Sequence, residues 1–187
     1  MNWKSTIIPR KFYDRDPVIV AQQLLGKFLV RKIGDKYLVG LITETEAYLP
    51  SGDAAAHNFK GKTKRNESLY KEAGHAYVHS MRQYFLFDVV TEGADKPGSV
   101  LIRAIEPIEG IDGIKTDGPG KVCIALSINR TLDGTDITNP ESEIFIAQGE
   151  KDILHEITTS SRIGISNAKD MPLRFHITEN IHVSKKR

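Results

Sequence analysis

Cysteine is almost absent from this chain: Cys123 is the only one. No intrachain disulfide can form, and such a count fits a reducing intracellular setting. No apolar run approaches membrane-spanning length. The opening residues, MNWKSTIIPRKFYDRDP, lack an apolar signal core and a small-residue cleavage site, so a cytoplasmic protein is expected. Internal repeats and low-complexity linkers are missing too. The zinc-ligand spacings of Cys and His, the HExxH helix, the GxSxG elbow and the dinucleotide fingerprint do not occur. Neither a metal nor a nucleotide cofactor is implied. Charge of one sign is also not in excess: 26 Lys and Arg face 24 Asp and Glu, for a net +2 and a pI near 8.6. This mild basicity permits nucleic-acid binding without arguing for it; what counts is whether the cations gather on one surface.

What is present is ordinary for a globular chain, with 40% hydrophobic and 27% charged residues over 187 positions. Residues 1–187 therefore read as one domain with one core. Asp16 and Pro17 are a good N-cap and first helical residue, so VIVAQQLL forms a short helix closed by Gly26. Residues 27–48 read as two strands joined at Gly34-Asp35, residues 75–91 as a β-hairpin, and SVLIRAIEP as a strand. Residues 50–75 form a long polar surface connection. The Gly118-Pro119-Gly120 sequence opens a helix, and residues 143–147 and 173–183 are β-rich. The sum predicts an α+β class, an antiparallel-sheet-rich core with a few packed helices and a protruding β-hairpin.

Chemistry-bearing residues gather in a few stretches. Strand alternation in LVGLITETEAY puts Ile42, Glu44, Glu46 and Tyr48 on one face, which begins apolar and ends in two carboxylates and a ring. Inside a cleft, a partly desolvated carboxylate gains basicity and can act as a general base. Taken alone, the segment is explained more economically as a strand end turning to solvent, since most Glu residues are exposed. Lys60, Lys62, Lys64 and Arg65 cluster beside His57; they suit phosphates, or merely a solvated loop. Tyr77, His79, Tyr84 and Phe85 offer rings for a nucleobase, or ordinary sheet packing. Arg103 lies in an apolar strand, where an unpaired charge would be prohibitive, so it needs an acid such as Glu44 or Glu46. Lys121, after Gly118-Pro119-Gly120, could hold one phosphate, or simply follow a helix start.

In order along the chain stand LLGK (24–27), ITETEAY (42–48), AAAH (54–57), KRN (64–66), GHAYV (74–78), LIRAIEPIEG (101–110) and GPGKVCIAL (118–126). Together these resemble the 3-methyladenine (alkyladenine) DNA glycosylase family, from about Pro17 to Asp136, with looser similarity at PLRF (172–175). The resemblance implies a monofunctional, cofactor-free, monomeric enzyme with no obligatory protein partner. Its substrate would be double-stranded DNA containing a damaged purine, which it flips into a pocket while a β-hairpin enters the minor groove. It assigns the general base to Glu46, base stacking to Tyr48, a pocket role to His57 and water orientation to Arg103. The chain departs from the family over 79–88. His79 stands where the family has a second pocket Tyr, and Asp88 stands where it has Asn. The hairpin tip is one residue shorter, with Met81 or Arg82 as the wedge in place of an aromatic ring. Two other classes compete: a non-enzymatic nucleic-acid-binding domain, favoured by the altered tip and pocket, and a metal-dependent nuclease built on Glu44, Glu46 and Asp53.

Overall fold

The computed structural model describes residues 3–149 and 156–184. Three short helices, α1 (Arg10–Tyr13), α2 (Pro17–Leu24) and α3 (Pro119–Ala125), accompany eight strands. These are β1 (Phe28–Ile33), β2 (Lys36–Tyr48), β3 (Ala76–Met81), β4 (Tyr84–Thr91), β5 (Gly98–Glu109), β6 (Ile144–Ala147), β7 (Ile157–Ser160) and β8 (Arg174–Ile177). All strand pairs among the described residues are antiparallel, in one sheet ordered β3-β4-β5-β2-β1-β6. The α+β class and the antiparallel core follow the sequence pattern.

Helix α2 begins as its residues dictate. The Asp16 carboxylate accepts from the Val18 N–H at 2.8 Å, and Pro17 occupies the first turn. Gly26 ends it at φ 79, and the chain returns along β1 and turns tightly so that Ile33 pairs with Lys36.

The long strand β2 organises the sheet. One edge pairs with β5 over much of its length; the other pairs first with β1, then, at Glu44–Glu46, with β8. Flanked on both edges there and covered on both faces, residues 42–47 are all buried. Helix α2 packs on β2 and β5, and α3 on β4 and β5. The main core joins Leu24, Leu29, Ile42, Phe87, Ile102, Leu126 and Phe175. The expected hairpin forms from β3 and β4, with Met81 paired to Tyr84 and only Arg82 and Gln83 between them. Helix α3 lies against its tip end, since a Cβ on Gly120 would come within 2.8 Å of the Tyr84 ring. Strand β7 carries no sequence signal of its own and, among the described residues, pairs only with β8.

Candidate base-binding cleft and its acidic strand

The end of β2 carries Glu44, Glu46 and Tyr48. Both glutamates are fully buried, so neither the solvated strand end nor a strand simply opening into a cleft describes them. Arginines meet both of them. Arg103 Nε donates to Glu44 Oε1 and Arg103 Nη1 to Glu46 Oε2, each at 3.1 Å. Arg174 Nε adds a 2.5 Å bond to Glu44, and the Ser184 N–H donates to its other oxygen at 2.6 Å. The β2–β5 register shifts between Ile42 and Glu44 and again between Glu44 and Thr45, which pair with Ala104 and Ile102 and leave Arg103 opposite neither. This irregularity sits where the ladder meets the ion network, as bulges beside functional sites commonly do.

Glu46 is held by three donors. The Ile163 N–H reaches Oε1 at 2.7 Å, while the Tyr48 hydroxyl at 3.0 Å and Arg103 share Oε2. Burial pushes its carboxyl above the usual range, and Arg103, Ile163 and Tyr48 offset only part of that. Burial, and then the neighbouring charges of Glu46 and Asp88, push the Tyr48 hydroxyl well up as well, so it remains a donor.

Beside this strand lies a narrow cleft of about 70 Å³, lined among others by Tyr48, His57, Tyr77, His79, Met81, Asp88 and Ile165. His57 is exposed and shares a 2.8 Å hydrogen bond with the Tyr77 hydroxyl. Its ring lies 4.5 Å from that of His79, and Tyr77 stacks on His79 at 4.9 Å. His79 Nε2 meets Asp88 Oδ2 at 3.0 Å, and Ser99 Oγ donates to Oδ1 at 3.2 Å. Tyr48, His57, His79 and Asp88, from four different segments, thus share one cleft. Glu46 lies behind Tyr48 rather than in the wall.

The remaining candidates scatter around it. Met81 is 48% exposed, and Arg82 follows with φ 54. Lys62, Lys64 and Arg65 are exposed, on a loop tied to the cleft region: Arg65 donates to Ser80 O at 3.1 Å, and Asn66 to His57 O at 2.8 Å. Lys121 is bonded to Asp117 at 2.7 Å, one turn back along the chain, so its ammonium has a partner other than a phosphate.

Sequence reading missed one assembly. Arg162 and Asp53 form a doubly hydrogen-bonded pair at 2.6 and 2.7 Å, with both side chains fully buried. The Arg162 guanidinium also lies 4.6 Å above the Tyr48 ring and donates to Ala47 O. With the Ile163 N–H on Glu46, two consecutive residues grip three consecutive residues of β2. One face of Tyr48 is thereby taken, leaving the other for a ligand. Asp53 carried a signal only as an acid in a polar loop, and Arg162 carried none. Among the described residues no three His, Cys, Asp or Glu side chains converge as a metal site; Glu44, Glu46 and Asp53 each face an arginine instead.

The sequence profile of methylpurine-DNA glycosylase matches residues 11–181. The chain belongs to that family. A protein of Carboxydothermus hydrogenoformans is 42% identical, across 96% of this chain and all of its own length. One from Francisella tularensis is 42% identical over the full length of both. A third, from Legionella pneumophila, is 40% identical over 95% of this chain and 98% of its own. Each of the three carries a name that assigns it, provisionally, as a 3-methyladenine DNA glycosylase. The methylpurine-DNA glycosylase profile spans the acidic strand, the cleft and the Arg162 assembly alike. Among the described residues no helix is long and apolar enough to cross a membrane.

Proposed function

We propose that this protein is a monofunctional DNA N-glycosylase that flips an alkylated or deaminated purine into the cleft and hydrolyses its glycosidic bond with Glu46 as general base. The class comprises 3-methyladenine, 7-methylguanine and hypoxanthine. The observation that carries the reading is the joint placement of Glu46, Arg103 and Tyr48. A carboxylate made more basic by burial is bonded to a ring that lines a cleft beside an exposed basic loop.

The chemistry asks little more. A base cannot be attacked while stacked, so it must leave the helix at a cost of a few kcal/mol, less for damaged pairs. An N-alkylated purine is already a good leaving group, and the enzyme must then activate water and stabilise an oxocarbenium-like sugar. A carboxylate offers about four acceptor positions; on Glu46, Ile163, Tyr48 and Arg103 use three. The fourth, on Oε1, is free for the water proton. Arg103 orients the carboxylate and opposes part of the burial that makes it more basic, and the flipped base rests on the open face of Tyr48. Glu46 is fully buried, so water reaches it only as DNA binding parts the cleft side chains. Catalytic contacts often tighten only in the complex.

The test is a duplex bearing one alkylated purine or hypoxanthine, incubated with EDTA and then cleaved with alkali at abasic sites. The wild-type protein is expected to generate such sites. Glu46→Gln keeps the shape but cannot accept the proton, so single-turnover release should fall roughly 100- to 10,000-fold with duplex affinity retained. Near-normal rates in the Gln variant would sink the assignment. Activity that EDTA abolishes would point to the nuclease class, and binding without any release to a non-enzymatic one.

A further inference from the structure

Among the described residues, the buried charges around the cleft do not balance. Four carboxylates are buried, those of Glu44, Glu46, Asp53 and Asp88, against three arginines, Arg103, Arg162 and Arg174. The three arginines are committed: Arg103 to both glutamates, Arg174 to Glu44 and Arg162 to Asp53. Asp88 is the carboxylate left without one, and its partners are Ser99 Oγ and His79 Nε2. A hydroxyl supplies no charge, and a histidine supplies one only when protonated. Burying an unbalanced charge is costly, and the cost is relieved when an opposite charge arrives.

We propose that Asp88 is a charge-selecting residue, whose carboxylate in the cleft wall favours positively charged N-alkylpurines over neutral purine lesions. The inference rests on the base-pocket reading above and narrows its substrate class.

Position, partners and reach support it. Asp88 lines the cleft yet is only 3% exposed, so water screens it little. Ser99 Oγ donates to one of its oxygens and His79 Nε2 meets the other, so among the described residues no cation of fixed charge touches it. Its charge is felt across the cleft: after the larger effect of burial, it helps push the Tyr48 and Tyr77 hydroxyls up, and it opposes the burial that pushes His57 down. Purines alkylated at N3 or N7 in DNA carry a positive charge, and hypoxanthine carries none. A charged base entering between Tyr48 and His79 becomes the missing counter-charge to Asp88. A neutral base leaves that carboxylate with the histidine alone.

Hypoxanthine and its N7-methylated counterpart, each placed in the same duplex and kept at a pH below that at which the methylated base loses its acidified N1 proton, differ by one methyl group and one charge. Affinities are measured in the Glu46→Gln background, where base release does not intervene, and single-turnover release with Glu46 intact. The quantity compared is the ratio of charged to neutral lesion, so that the greater intrinsic lability of the methylated base cancels between variants. In Asp88→Asn the ratio should fall about ten- to a hundredfold, as expected for one partly screened charge several ångströms away. His79→Gln, which leaves the carboxylate, should hold or raise the ratio. The proposal is overturned if Asp88→Asn weakens both lesions alike and the ratio stays within about twofold of the wild type. It is equally overturned if His79→Gln lowers the ratio as Asp88→Asn does, because pocket shape rather than charge would then be responsible. Release of neither base by the wild-type protein would defeat the glycosylase reading alone; the affinity ratio still decides the role of Asp88.

Discussion

Tyr48 joins three environments. Its hydroxyl donates to Glu46, one face lies under Arg162, and its ring lines the cleft. Each contact has a separable consequence. The hydroxyl stabilises the Glu46 carboxylate, which burial has already raised above its ordinary value. With Glu46 in the proposed role of general base, release needs the ionised form, so the rate should fall as pH drops through this raised value, at a pH above that of a solvent-exposed glutamate. Tyr48→Phe removes a donor to the carboxylate and should move that midpoint higher still, while keeping the stacking surface. Single-turnover rates across pH 4 to 9, a range chosen about the ordinary glutamate value of ~4.3, would show it. An unmoved midpoint would mean that the hydroxyl does not tune Glu46. The ion pair of Arg162 with Asp53 serves the opposite face. Asp53 is held below the usual carboxylate range, because the Arg162 bonds and the Leu49 and Ala55 N–H groups outweigh its burial. The guanidinium therefore reaches Tyr48 already balanced, as the proposed stacking of a cationic base on the other face requires.

The β3–β4 hairpin raises a different question, because under the proposed function its tip would fill the space that a flipped nucleotide leaves. Met81 ends β3 exposed and also lines the cleft. Arg82 takes φ 54 in a two-residue turn that would prefer glycine there. That backbone is held from both sides: Arg65 bonds Ser80 O just before the tip, and α3 packs on Tyr84 just after it. Met81 is the expected wedge, since an apolar side chain costs less to desolvate than a guanidinium and minor-groove proteins do insert Met between base steps. With a fluorescent base analogue beside the lesion, Met81→Ala should speed re-stacking and Met81→Tyr should slow it. If Arg82→Ala abolishes flipping while Met81→Ala does nothing, the role passes to Arg82. If neither matters, the hairpin does not enter DNA.

For the molecule as a whole, a net charge of +2 is too small to direct it to DNA, so the distribution of charge decides. The buried arginines are spent on buried acids and add nothing to the outer field. Lys62 and Lys64 are exposed on the loop that Asn66 ties to His57. Lys62 stands 4.0 Å from Glu67, at the limit of an ion pair. Replacing both lysines with Ala should flatten the dependence of duplex affinity on salt, by a log–log slope of roughly 0.9 for each phosphate no longer neutralised. Titrations over a range of salt concentrations measure it, and an unchanged slope would put these lysines on a face away from DNA. Lys121, already bonded to Asp117, should contribute less than either.

Local rules were sufficient for part of this protein. The Asp16-Pro17 start of α2, the β1–β2 turn, the β3–β4 hairpin and the α3 start depend on residues within a few positions of each other, and they stand where the sequence puts them. Arg103 had to find an acid because an apolar strand offers no other relief for its charge, and its partners are the two glutamates that alternation sets on one face of β2. The burial of those glutamates was not legible. It required β8, 130 residues further along, to close the second edge of β2 and bring Arg174 to Glu44. Nor was the grip of Arg162 and Ile163 on residues 46–48, since sequence patterns report periodicity and capping and carry no information on which distant charges will meet. The charge of Asp88 shows the same division. The sequence supplied an aspartate within a strand; only the packing, which gave every other buried carboxylate an arginine, left this one facing the cleft with a histidine.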